Sequence, residues 1–413
     1  MMKTAAMIHP GVKVAVVGLG ISGRAAVHYA RQCGAEVRVS DSRPKQRFLV
    51  EEQKFLAATN VLWEAGGHTL EFLRQADLIL VSPGVNLELP VMRELRSAGL
   101  PLAGELGVAA GLITVPVVAV TGTNGKTTVT TLIGELLRGS GRKPFVGGNI
   151  GTPVYEYLCR PAEYDVVVVE VSSFQLESAG TFAPQVGVLL NITPDHLDRH
   201  GSLENYARVK MQLFKHQKPG DVAIINGDDR LCRKLPDGAA AEVRSFGCNA
   251  HNIKSTKSTK NTKNAAVLVD DKICLTTHGE VEEYSLAGTS LGNSVGMQNG
   301  AAAILAARAL GCTREQIMAG LKAFRLAPHR IEFVAEVDGV SYYNDSKATN
   351  TGAVIAALRQ FPGNVILIAG GRDKGDDYRL LRESVAGRVR LVLVIGESAG
   401  LLEEALADVV RLC

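Results

Sequence analysis

Short runs of β-branched and aliphatic residues recur along the chain, and each gives way to a stretch of helical periodicity. The runs are VKVAVVG from Val12, AEVRVSD from Ala35, DLILVSPG from Asp77, VPVVAVTG from Val115, DVVVVEVS from Asp165 and VGVLLNIT from Val186. DVAIING from Asp221, NVILIAGG from Asn364 and RLVLVIGE from Arg390 follow. Runs apolar on both faces that alternate with helices read as parallel strands covered on both sides. The fold class is therefore α/β.

The pattern also divides the chain. PLAGELGVAAGLITVP separates an opening group of strands from a second group with its own Gly-rich turn, which places a boundary near Leu106. Further on, HNIKSTKSTKNTKN is polar and of low complexity, and lacks the interleaved aromatics that single-stranded nucleic acid binding needs. It reads as a solvated loop inserted between antiparallel strands, and the strand-like AAVLVDDKICLTT follows it. The helical pair QNGAAAILAARALG and TREQIMAGLKAF ends near Arg325, and IEFVAEVDGVSYYND opens a third unit as a hairpin. The expected units are 1–106, 107–325 and 326–413.

Composition narrows the classes. A length of 413 residues suits two to three domains at about 150 residues each. Hydrophobic residues at 46% and charged residues at 21% exclude wholesale disorder. The 45 Lys and Arg against 42 Asp and Glu leave a charge of +3, too small to make nucleic acid or an acidic membrane the main partner. Seven scattered cysteines without a C-x-x-C pair suggest neither a disulfide framework nor a zinc knuckle. The N-terminus has no apolar signal-like core, and no run approaches about 18 apolar residues, so a cytoplasmic protein is expected.

Two glycine-rich turns carry the candidate chemistry. Gly18, Gly20 and Gly23 form G-x-G-x-x-G between a strand and a helix, with Asp41 ending the next strand. Glycines let the backbone approach a diphosphate while the helix N-terminus supplies free N–H groups. Alone, the motif fits a nicotinamide dehydrogenase or a turn with no ligand. SPG, ending in Gly84, closes another strand of the same sheet and could equally be an ordinary turn.

The second turn, TGTNGKTT, sets Gly122, Thr123, Asn124, Gly125, Lys126, Thr127 and Thr128 between a strand and an amphipathic helix. In such a loop, N–H groups wrap a β-phosphate, the lysine neutralises β/γ charge and the Thr127 hydroxyl can ligate Mg²⁺. Val120 stands where the usual pattern has its first glycine, so the loop is a variant. A triphosphate site beside a diphosphate cradle weakens the dehydrogenase reading. Glu170 ends a buried strand where a metal ligand belongs, the other reading being a solvated strand end. NITPDHLDRHG clusters Asp195, His196, Asp198 and His200, or is a polar loop. Tyr206 and Lys210 lie four apart on one helix face, and an isolated helix lysine ordinarily reads as a solvated group.

GLGISG, SPGV, TGTNGKTT, GGNIGTP, EVSSFQLE, NITPDHLDRHG, NYARVK and NDSKATN occur in order, and together they resemble the Mur ligase family. GLGISG, SPGV and EVSSFQLE resemble its D-glutamate-adding branch. The resemblance implies an N-terminal Rossmann-like domain for a UDP moiety, a central ATPase domain and a C-terminal Rossmann-like domain bringing the amino acid. It implies that ATP phosphorylates the carboxylate of UDP-N-acetylmuramoyl-L-alanine and that the amine of D-glutamate then displaces phosphate, with Mg²⁺ assisting. A monomer is expected.

On that resemblance Gly18, Gly20, Ile21, Ser22 and Gly23 cradle the uridine diphosphate, with Asp41, Ser42, Arg43 and Gly84 around uracil and ribose. Lys126 and Thr127 hold ATP and Mg²⁺, Glu170 and His196 match metal ligands, and Asn149 orients the reacting carboxylate. Lys210 matches a lysine that is carbamylated in the family, which turns an ammonium into a carboxylate able to bind a second Mg²⁺. Asn299, Arg330 and Asp345 match nucleotide contacts, Lys347 and Thr349 lie at nucleotide and substrate, and Lys374 matches a lysine near D-glutamate.

Two departures stand out. Val295 and Gly296 occupy positions where members carry His and Asn, so the adenine contacts are expected to differ. Members also continue past the last helix into a Ser- and Phe-containing stretch that recognises D-glutamate. The third unit is therefore expected to be incomplete, and a binding-only remnant holding the UDP-sugar and ATP is the alternative.

Overall fold

The computed structural model describes residues 8–234, 240–248, 265–277, 280–373 and 375–413. The lysine-rich stretch 251–264 and Lys374 lie outside the described residues. The strand Lys13–Val17 is apolar on both sides because its sheet is covered on both. Val14 and Val16 pack with Ala26, Val27 and Tyr29 of the helix Ile21–Gln32, while Ala15 and Val17 pack with Leu73, Met92 and Leu95. All five strands are parallel, in the spatial order Leu62–Ala65, Glu36–Asp41, Lys13–Val17, Leu78–Val81, Leu102–Ala103. The chain reverses its direction of travel between Lys13–Val17 and Leu78–Val81, and ligands of open α/β sheets bind at the strand ends of such a switch. Gly18 and Ser82 sit there.

The second sheet has nine strands, in the order Glu280–Ser285, Lys272–Thr277, Ala265–Val269, Glu242–Phe246, Val222–Asn226, Val186–Leu189, Val117–Thr121, Val166–Glu170, Pro144–Gly148. The seven from Ala265–Val269 onward are parallel, so Glu242–Phe246 and Ala265–Val269, the strands before and after the lysine-rich stretch, pair parallel and not antiparallel as expected; the first three pair antiparallel, Val267 facing Cys274. One face packs on the helices Lys126–Gly139, Ser294–Ala309 and Arg314–Ala323 through Leu132, Leu136, Ile304 and Ile317. The other buries Leu106, Tyr157, Tyr206 and Phe214. The short helix Glu105–Ala109 thus belongs to two cores, Leu106 and Ala109 in the central one and Val108 in the N-terminal one.

The third part opens with the hairpin Glu332–Val337 and Val340–Asn344, whose Asp338-Gly339 turn has φ of 50° and 75°, the backbone of a tight hairpin turn. A three-stranded parallel sheet follows in the order Val365–Gly370, Val389–Ile395, Arg411–Leu412. Its inner face buries Val392 against Leu358, Val385 and Leu406, with Leu367 and Ala369 packed on them. Ile366, Ile368 and Ile395 on the other face remain 53%, 66% and 57% exposed.

Candidate active site

The strand Val117–Thr121 ends in the loop Gly122–Gly125, which caps the helix Lys126–Gly139. Gly125 has φ +85°, and a Cβ there would lie 2.5 Å from Asn299 Oδ1, so the helix carrying Asn299 packs directly on the loop. Lys126 Nζ donates to the carbonyls of Gly122 at 3.0 Å and Thr123 at 2.7 Å. Thr127 Oγ1 donates to Glu170 Oε2 at 2.8 Å, and Asn149 Nδ2 to Glu170 Oε1 at 2.8 Å. The solvated reading of Glu170 is overturned, since it is buried and both oxygens are engaged.

Lys210 corrects its helix-lysine reading in the same way. It is 1% exposed, its Nζ donates to the Gly122 carbonyl at 2.8 Å and it lies 4.4 Å from the Tyr206 ring. Burial, and then the charge of Lys126, hold its pKa well below the usual range, which favours a neutral amine. Two lysines therefore converge on one carbonyl oxygen.

The segment after Val186–Leu189 clamps this loop. Asn191 Oδ1 accepts from Asn124 N at 2.8 Å, its Nδ2 donates to Asn124 O at 3.0 Å, and Thr123 Oγ1 donates to Thr193 O at 3.1 Å. Asn191 opens NITPDHLDRHG, where no spacing singles it out. Asp195 is buried, and its Oδ1 has no hydrogen bond among the described residues, while His196 Nε2 lies 3.8 Å from it. His196 has a left-handed backbone, φ 54°, and its ring packs 4.9 Å from that of Phe174. His200 bonds through Nε2 to Ser173 Oγ at 3.0 Å. Burial first, then the neighbouring positive charge of Arg199, push its pKa down to about 4, so it is neutral at physiological pH. Arg199 donates to Glu177 Oε2 and to the carbonyl of Val85, which ties the SPGV loop to this region.

In the N-terminal cradle Gly18 has φ +89°, and a Cβ on Gly23 would lie 1.9 Å from the Gly18 carbonyl oxygen. Ser82 Oγ donates to that same oxygen at 3.0 Å, and Val85 N donates to Ser82 O at 3.0 Å, so SPGV is a β-turn packed against the cradle. Asp41 Oδ2 accepts from Leu19 N at 2.7 Å, and Arg43 bonds both oxygens of Asp41 at 3.0 Å and Glu52 Oε1 at 3.0 Å. Burial pushes the Asp41 carboxyl up, but the Arg43 bonds and the Leu19 N–H outweigh it and the net pKa falls below the usual range. The buried Glu52, which also holds the Leu49 N–H at 2.8 Å, carried no sequence signal beyond its place in a helix's first turn. Gly20, Ile21, Ser42 and Gly84 form the exposed rim, with Ser22 half-buried.

Arg330 lies between His329 and Ile331, whose φ values are 67° and 48°, the second unusual for a β-branched residue. Asp345 Oδ1 accepts from Ile331 N at 3.1 Å, and burial raises its pKa despite that bond and the nearby Arg330. Lys347 and Thr349 are exposed. Asn350, within NDSKATN, joins the site with no local signal of its own. Its Nδ2 donates to Asn124 Oδ1 at 3.1 Å and to Asp195 Oδ2 at 3.2 Å, and its Oδ1 accepts from Asn124 Nδ2 at 3.2 Å. At the altered Val295-Gly296 pair, a Cβ on Gly296 would lie 2.5 Å from the Leu291 carbonyl oxygen.

The structure thus gathers Gly122 to Thr128, Asn149, Glu170, Lys210 and Asn299 into one cluster, with the third domain joined to it by Asn350 and the first by Arg199. The Thr127 hydroxyl and the Glu170 carboxylate are hard oxygen donors 2.8 Å apart, a set that fits Mg²⁺ held by few protein groups and completed by phosphate and water. Among the described residues no group of three or more His, Cys, Asp or Glu could hold a metal by itself.

Three family models match: the Mur ligase MurD-like N-terminal domain over 12–104, the Mur ligase middle domain over 120–307 and the Mur ligase glutamate ligase domain over 329–412. The chain belongs to the Mur ligase family. It is similar to two curated proteins named UDP-N-acetylmuramoylalanine--D-glutamate ligase. That of Desulfotalea psychrophila is 50% identical over 412 residues, covering 100% of this chain and 87% of the relative. That of Pelotomaculum thermopropionicum is 42% identical, covering 95% and 84%.

Among solved structures, a pseudomurein peptide ligase type C from Methanothermus fervidus matches with a TM-score of 0.60 at 20% identity, covering 98% of this chain and 89% of that one. MurF from Acinetobacter baumannii matches with a TM-score of 0.60 at 18% identity, covering 97% and 83%. These two likenesses concern the fold. Nothing in the matches supports the expected incompleteness of the third domain. Among the described residues no helix is long and apolar enough to cross a membrane.

Proposed function

We propose that the chain is an ATP-dependent, ADP-forming carboxylate–amine ligase that adds D-glutamate to UDP-N-acetylmuramoyl-L-alanine in the synthesis of a peptidoglycan precursor. The observation that carries this reading is the hydrogen-bonded cluster of Lys126, Thr127, Asn149, Glu170 and Lys210 at the carboxyl ends of the strands Val117–Thr121 and Val166–Glu170, in a chain 50% identical to a ligase of that name. The binding-only alternative is disfavoured, because the glutamate ligase domain model covers 329–412.

Each residue then has a task that its chemistry suits. Lys126 leaves the carbonyls of its own loop to meet β/γ-phosphate charge, and the N–H groups of Gly122 to Thr128 surround the phosphates. Mg²⁺, held by Thr127 and Glu170, with His196 assigned as a further ligand by resemblance, would supply charge neutralisation at the transferred phosphoryl group. Asn149 is placed by Glu170 to donate to the substrate carboxylate. A neutral Lys210 amine can add CO₂, and the resulting carbamate is an anion suited to a second Mg²⁺.

Asn299 packs at the nucleotide loop, while Arg330, Asp345, Lys347 and Thr349 approach from the third domain. Gly18 to Gly23, Asp41, Ser42, Arg43 and Gly84 receive the UDP moiety. Lys374, outside the described residues, is assigned to D-glutamate by resemblance. Domain limits at 1–106, 107–325 and 326–413, a monomeric state and a cytoplasmic location complete the reading.

The test is phosphate release from ATP. It should require both UDP-N-acetylmuramoyl-L-alanine and D-glutamate. Equal release with L-lysine, L-alanine or a folate in place of D-glutamate would refute the specificity.

A further inference from the structure

Glu105 is a carboxyl group that none of the roles above uses. It is 2% exposed and lies in the short helix shared by the N-terminal and central cores. One oxygen accepts the N–H of Val154, in the first turn of the helix Val154–Cys159, and the Tyr155 N–H also bonds the carboxylate. The other oxygen accepts from Gln175 Nε2 at 3.2 Å. Gln175 Oε1 in turn accepts from Ser172 N at 2.9 Å and Ser172 Oγ at 3.1 Å, closing the capping box of the helix Ser173–Glu177.

Five residues before Val154 is Asn149, and two before Ser172 is Glu170. Their segments meet again where Asn149 N donates to Glu170 O at 2.9 Å. On its other side Glu105 faces a small space lined by Ser22, Ser82 and Tyr155 beneath the diphosphate loop. One carboxylate therefore touches the two segments that carry Asn149 and Glu170, from a position under the nucleotide-sugar cradle.

We propose that Glu105 is a positioning residue for ligation: as a carboxylate it holds the Asn149 loop and the Glu170 turn in fixed register beneath the N-terminal cradle, and as a neutral acid it releases them. Three N–H donors address it, and protonation would place a donor where an acceptor is required. Burial pushes its pKa up to about 7, while Gln175 and the N–H groups of Val154 and Tyr155 pull it down. The titratable groups facing it are Tyr155 on the helix Val154–Cys159 and, beyond that ring, Tyr29 on the helix Ile21–Gln32. The strands Lys13–Val17 and Leu78–Val81 contribute Val16, Leu80 and Val81, which carry no charge. The register is thus set within the physiological pH range.

The kinetic consequence rests on the ligase reading, so the test has two arms. In the first, hydrogen exchange of segments 147–156 and 170–177 is measured at about pH 6 and about pH 8 in the whole chain, corrected for intrinsic rates. Protection should rise roughly tenfold with pH in the native protein and be independent of pH in Glu105→Gln. Equal protection in both proteins at both pH values would overturn the proposal whether or not the chain ligates.

In the second arm, kcat should rise through a limb near pH 7 that Glu105→Gln lacks, with kcat at about pH 8 down roughly tenfold and KM for the UDP substrate within about threefold. Gln175→Met, which removes a bond that lowers the pKa, should move the limb to higher pH. It serves alone if Glu105→Gln fails to fold, and an unmoved limb would overturn the proposal. A native protein with no turnover at all would count against the ligase reading, and the exchange arm would still decide the role of Glu105.

Discussion

At the scale of the residue, the cluster around Gly122 makes its own demands. Replacing Lys126 with Ala should cut phosphate release by about 100-fold or more, since a positioned cation at developing phosphate charge is worth that much. Lys210→Ala should abolish turnover, and short carboxylic acids should partly restore it by supplying a diffusible carboxylate; kinetics with and without about 50 mM acetate decide the matter. No rescue would leave Lys210 a packing residue.

Asp41 gives a pH prediction with a definite sign. Its folded pKa lies below its unfolded one, so its contribution is present above the unfolded value and is lost as pH falls through the folded value. The melting-temperature gap between the native protein and Asp41→Asn should therefore be widest above about pH 5 and close toward about pH 3. Calorimetry across that range checks it. The partners of these residues were only partly legible. The P-loop announces Lys126 through local spacing, whereas Glu52 and Asn350 act through contacts made by folding, and no local pattern encodes those.

At the scale of the element, the long apolar strands could be read directly because a strand covered on both faces must be apolar throughout. Among the described residues six strands escape such a reading: Leu62–Ala65, Leu102–Ala103, Pro144–Gly148, Glu242–Phe246, Glu280–Ser285 and Arg411–Leu412. Leu102–Ala103 has two residues, Pro144–Gly148 begins with Pro and ends in Gly-Gly, and Glu242–Phe246 carries Glu and Arg. Pro144–Gly148 lies at the sheet edge, where a missing N–H costs little. The turn after Lys13–Val17 is the opposite case, since its glycines are demanded by geometry. Gly23→Ala drives a methyl into the Gly18 carbonyl and should cost about 1–3 kcal/mol of stability and weaken UDP-sugar binding more than ATP binding. Parallel calorimetric titrations with the two ligands would show it.

At the scale of the molecule, sequence could place the domains but not the joints between them, which are the buried helix Glu105–Ala109 and side-chain bonds such as those of Arg199 and Asn350. The open face of the third sheet gives a prediction at this scale: Ile368→Lys falls at a site 66% exposed and should change stability by no more than about 0.5 kcal/mol in a urea melt. A loss of several kcal/mol would mean the face is covered in solution.

The pairing of Asn124 with Asn350 has a different consequence. Two primary amides face each other across the boundary between the second and third domains, and neither carries a formal charge. Ionic strength acts on charges and has little purchase on such a clasp. Sodium chloride should therefore leave the two amide–amide bonds nearly untouched and act only on the bond from Asn350 to the Asp195 carboxylate, whereas urea, itself an amide, competes for all three and should loosen the clasp well before either domain melts.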